Sequence, residues 1–189
     1  MSKDTDGDIK IFTAAGAAAQ PPGEDLDALA QETEAQRASG NLGKAKQLGR
    51  GLSSFSANSP ELLALAESFG FSLNPEREQH LHVLMLFSAQ AALQELLAPK
   101  LLAEAAVTTM NNALINHEKA FWDTVSDGRV FTQYLLALRD PVGEAKNAER
   151  IGGVFAQLCG QEDNPDLRAL GASVFETAYK WIAANWTAI

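Results

Sequence analysis

"NPEREQHLHVLMLF", Asn74 to Phe87, decides the fold. Asparagine ahead of proline is how a helix begins: the Asn side chain satisfies a free backbone N–H. Proline at the first helical position gives up an N–H that had no partner anyway. Glu76 and Glu78 follow in the first turn, where a helix favours negative charge. From Leu81 the stretch "LHVLMLF" is apolar through more than a full turn, so no face of this helix can stay in water. A helix of that kind belongs at the centre of a bundle.

The same grammar recurs along the chain. Ser59-Pro60, Asp140-Pro141 and Asn164-Pro165 repeat the cap-then-proline start. Gly70 and Gly160 follow apolar runs at positions where a left-handed residue ends a helix, "SDG" at Ser126 to Gly128 marks a further break, and Pro99 should end or sharply kink the helix begun at Pro75. These signals predict helices near 24–38, 60–69, 75–97, 100–125, 129–139, 141–159 and 165–187. The unequal spacing of the prolines gives no repeat period, which removes a helical-repeat solenoid. Val107, Met110, Leu114, Phe121 and Val125 form one core stripe at three- and four-residue steps, and Leu167, Leu170, Val174, Ala178 and Trp181 form another. The expected architecture is all-α: a single-domain bundle of about six or seven helices over 59–189, with a disordered tail over 1–23. Between them, 24–58 holds one helix and a glycine-rich flexible joint, "SGNLGKAKQLGRGLSSFSANS".

Composition bounds the function. In 189 residues, 46% of them hydrophobic, a core can form without disulfide or metal. The single cysteine, Cys159, excludes an internal disulfide, and "MSKDTDGDIKIF" is acidic where a secretory leader would be basic and then apolar. The expectation is a cytoplasmic protein with no membrane span, since the longest apolar run, Val83 to Phe87, is far short of the ~20 residues that cross a bilayer. A formal net charge of −9 opposes binding to phosphate backbones, so nucleic acid is disfavoured as a partner. Locally, Arg37, Lys44, Lys46 and Arg50 lie in a stretch with no acid from Ala35 to Pro60, and this basic 37–50 segment is the one candidate for nucleic-acid contact.

Candidate chemistry is sparse. Successive helical residues turn by about 100°, so His80 and His82 point about 200° apart and cannot share a metal ion. Each has a glutamate four residues earlier, Glu76 and Glu78, an ordinary stabilising pair. No Glu-x-x-His occurs, and no metal or cofactor site is read. His117 falls on the stripe of Met110, Leu114 and Phe121 and is therefore expected near the core. Asn112 and Asn116 lie beside it, and Tyr134 follows on the next helix; these four are the candidate ligand pocket. "DTDGD" at Asp4 fails as a calcium loop, having Ile9 and Ala15 where glycine and glutamate are required. "GNLGK" at Gly40 fails as a phosphate loop, with Ala38 and Ala45 in place of glycine and a hydroxyl. Cys159, near a helix C-terminus, reads as a packing residue.

Two functions fit. The first is a non-enzymatic protein-interaction module or homo-oligomer, with Trp181, Trp186 and Ile189 at the chain's end as its interface. The second is a small-molecule-binding helical domain, or an enzyme, built around His117.

Overall fold

The computed structural model describes residues 22–57, 59–71, 74–126, 128–139 and 144–188, and the fold is all-α, with no strand among them. In chain order the helices are α1 (Pro22–Ala38), α2 (Asn41–Ala57), α3 (Pro60–Ser68), α4 (Pro75–Leu96), α5 (Lys100–His117), α6 (Lys119–Val125), α7 (Arg129–Ala137), α8 (Glu144–Leu158) and α9 (Pro165–Ala188). No described helix is long and apolar enough to cross a membrane.

The predicted starts are made by the predicted chemistry. The Ser59 hydroxyl accepts from the Leu62 N–H, the Asn74 side chain accepts from the Arg77 N–H at 2.9 Å, and Asn164 Oδ1 accepts from Asp166 and Leu167. The fourth start, Asp140-Pro141, lies outside the described residues. At Gly160, φ is 70°, its N–H donates to the Gln157 carbonyl, and the next N–H reaches back to Ala156. Gly70 repeats that pair of bonds with Glu67 and Ala66. Both stops are Schellman motifs, which need a left-handed residue and therefore favour glycine.

Helix α4 is the axis of the molecule. Every residue from Leu81 to Ala89 is buried, as an apolar run without a polar face demands. Around it pack α9, α2 and α5, with α7 and α8 on a further side. Helices α8 and α9 form an antiparallel hairpin in close contact: a Cβ on Gly152 would stand 2.1 Å from the Arg168 carbonyl oxygen, and one on Gly171 only 2.8 Å from Phe155 Cβ. Only glycine permits backbones so near one another.

Three expectations are corrected. The stretch from Ser39 to Ser59 is not a flexible joint; most of it is α2, whose Ala45, Leu48, Gly49, Leu52, Ser53 and Ser56 are buried. Each glycine costs a helix up to about 1 kcal/mol relative to alanine, but here small residues let α2 seat deeply on α5, and a Cβ on Gly49 would meet the Ala106 carbonyl oxygen at 2.2 Å. Tertiary burial outweighs propensity. Second, the helix expected over 100–125 breaks at Glu118 (φ −128°, ψ 47°) into α5 and α6. The break brings the edge of Phe121 to His82 and buries Val125. Third, the tail expected over 1–23 lies outside the described residues up to Pro21, while Pro22 and Gly23 already belong to α1.

Candidate functional site

The two histidines of α4 are structural. His82 is buried, and its Nδ1–H donates to the Ser56 carbonyl at 2.8 Å, near the C-terminal end of α2 where helix carbonyls lack intrahelical partners. That bond fixes the proton on Nδ1 and leaves Nε2 4.0 Å from Glu78. His80 is half-buried; its partial desolvation pulls it below its ordinary value, with the Glu76 carboxylate opposing. Among the described residues no cluster of histidine, cysteine and carboxylates is placed to hold a metal.

The pocket expected around His117 does not assemble. His117, Asn112 and Asn116 are exposed, whereas Tyr134 is fully buried, stacked on Phe87 with ring centroids 5.0 Å apart. The reason is the break at Glu118. A continuous helix would carry the Met110–Leu114 stripe on past position 117, but α5 ends there and leaves His117 exposed as its last residue. Tyr134 instead keeps a hydroxyl that finds no hydrogen-bond partner among the described residues, its acidity suppressed by burial and, secondarily, by the nearby Cys159. Burial likewise pushes the Cys159 thiol up to about 11; Arg77 pulls it down and Glu76 pushes it up by less. A thiol held protonated in this way is a poor nucleophile.

Two surface features remain. The first lies where α2 meets α9. Trp181 is half-buried and stacks on Phe55 of α2, centroids 5.7 Å apart and planes 16° from parallel. Its indole also reaches over the α2 backbone: a Cβ on Gly51 would touch it at 3.2 Å. Lys46 and Arg50 are exposed on the same helix and Lys44 half-exposed, and among the described residues none of these three has a carboxylate partner. Trp186 is half-buried against the core, and Ile189 lies outside the described residues. Of the predicted interface residues, Trp181 thus sits in an aromatic pair at the surface. Phe55 was missed with its helix; the spacing of Leu48, Leu52 and Phe55 was the signal.

The second is an open cleft of about 450 Å³ between α4, α7 and α9. Phe87, Ala91, Phe131, Leu135 and Leu138 line it, with Asn147 and Tyr179 among its polar groups. Tyr179 donates to Glu95 Oε2 at 2.7 Å, which orients that wall. Leu135, 60% exposed, stands on the outer face of α7.

No family model, curated protein or solved structure matches the chain.

Proposed function

We propose that the chain is a protein-interaction module that assembles with copies of itself, and that the Phe55–Trp181 face is its contact. The observation that carries this reading is the half-buried stack of Phe55 on Trp181, which joins α2 to α9 at the surface. Tryptophan and arginine are the side chains in which binding energy concentrates at interfaces. A stack already held by its own chain loses little conformational freedom on docking.

Light scattering of the full chain over a wide concentration range tests this. A concentration-dependent dimer or larger assembly is expected, and Trp181→Ala should raise its dissociation constant roughly 10- to 30-fold, the effect of removing a residue worth about 1.4–2 kcal/mol. A monomer at every concentration would refute the reading.

A second reading, a site for an apolar small molecule, is favoured by the cleft between α4, α7 and α9, whose volume of about 450 Å³ falls within the range of ligand pockets. Saturable binding of an apolar fluorophore, abolished by Leu135→Arg, would support it; binding that never saturates would remove it.

A further inference from the structure

We infer that the cleft between α4, α7 and α9 takes an organic cation: an apolar, drug-sized body carrying one protonated amine, with the amine on Glu95. This rests on the second reading above, that the cleft is a small-molecule site, and names its ligand class. Phe131, Leu135 and Leu138 of α7 form the apolar wall. At about 100° per residue they fall within about 60° of one another, so a single stripe of α7 faces the cleft. The floor is α4. On it Gln90, Gln94, Phe87, Ala91 and Glu95 follow one another around the helix in that order over about 140°, one unbroken arc with amides at one edge and the carboxylate at the other. Tyr179 of α9 stands at the carboxylate edge and donates its O–H to Glu95 Oε2 at 2.7 Å.

The charge of this lining has one sign. Among the described residues that line the cleft Glu95 is the only acid, and there is no lysine, arginine or histidine. Nor does Glu95 form an ion pair with any other described residue. A carboxylate accepts at two oxygens, and Tyr179 holds one of them, which leaves Oε1 for a further donor. Three ligand chemistries meet this lining differently. A carboxylate or phosphate would find no countercharge and would face Glu95. A neutral apolar body would fill the cleft but strip water from a carboxylate with nothing in exchange. An amine on the same body replaces that water with a charge-assisted hydrogen bond. The group it meets is already held in place by Tyr179, so little freedom is lost on binding. At longer range the net charge of −9 draws cations towards the chain and repels anions.

The test is binding to the full chain of three probes that share one dansyl fluorophore and one alkyl tail. In dansylcadaverine the tail ends in an amine; its N-acetyl derivative is neutral; the third probe ends in a carboxylate. The amine should bind saturably and about tenfold more tightly than the neutral probe, and the acid more weakly than either. Glu95 is exposed, and an amide there can still accept from Tyr179, so Glu95→Gln should fold, which circular dichroism checks. That variant should bring the amine down to the affinity of the neutral probe and leave the neutral probe unchanged. Leu135→Arg should abolish binding of the neutral probe. If the neutral probe saturates and is lost with Leu135→Arg, yet the amine binds no more tightly or is indifferent to Glu95→Gln, the cation is wrong and the small-molecule reading stands. If no probe binds saturably, both readings fall together. Amine binding that survives Leu135→Arg, and fades with salt equally in wild type and Glu95→Gln, would mark attraction to the net charge alone and overturn the site.

Discussion

Replacing Gly49 with alanine sets local preference against tertiary contact. In an isolated helix the change should stabilise, since alanine is favoured over glycine by about 1 kcal/mol in a helix interior. In the folded chain the new methyl would lie 2.2 Å from the Ala106 carbonyl oxygen and 3.0 Å from its carbon, where ordinary contact begins near 3.4 Å. Both atoms belong to the backbone of α5, so no side chain can rotate away, and the two helices must part by about 1 Å. That movement loosens Leu48 and Leu52 on one side and Leu102 and Met110 on the other, all buried. Overpacking of this kind typically costs about 1–3 kcal/mol, and a contact with rigid backbone belongs at the upper end. After the propensity gain is subtracted, a net loss of about 1–2 kcal/mol is expected, or roughly 2–8 °C in Tm for a chain of this size. Gly43 in the same helix is the control: a Cβ there meets nothing within 4 Å, so Gly43→Ala should raise stability by about 0.5–1 kcal/mol. Thermal and urea unfolding followed by circular dichroism measures both. A Gly49→Ala protein as stable as wild type, or two variants shifted in the same direction, would show that α2 does not press on α5 as described.

Two further outcomes follow from the buried polar groups. Tyr134→Phe should leave stability unchanged or raise it by up to about 1 kcal/mol, because the hydroxyl it removes is buried with no partner among the described residues; a loss above 1 kcal/mol in urea unfolding would mean that the hydroxyl is satisfied after all. Cys159, with its pKa raised from the ordinary 9.0 to about 11, should react with a disulfide reagent at pH 8 about a hundredfold more slowly than an unperturbed thiol, and the rate should keep climbing past pH 9. The folded state holds this proton more tightly than the unfolded state. Its contribution to stability is therefore complete below about pH 9 and declines as pH rises towards 11, the Tyr134 hydroxyl adding in the same direction. A reaction rate that levels off near pH 9 would contradict the burial of the thiol.

The sequence by itself determined the helices whose ends are made locally. Ser59, Asn74 and Asn164 reach N–H groups two or three residues on, and the Gly70 and Gly160 stops need only one left-handed residue each. Such chemistry spans a single turn and is written in adjacent letters. The burial of α4 was legible for a related reason: a run with no polar side has only one environment open to it. What the tertiary structure alone decided depends on which backbone lies opposite. Glycines at 43, 49 and 51 read as a flexible joint until α5 and Trp181 are seen pressed on two of them; a missing side chain signals slackness in one setting and close approach in another. His117 reads as a core residue until the break at Glu118, which no proline or glycine announces, makes it the exposed last residue of α5. The Phe55–Trp181 pair joins residues far apart in sequence, and no local period links them. Caps and stripes are properties of one strand of text, whereas a helix–helix contact and the surface it leaves open belong to pairs of elements, fixed only when burial energy outweighs the propensity of each taken alone.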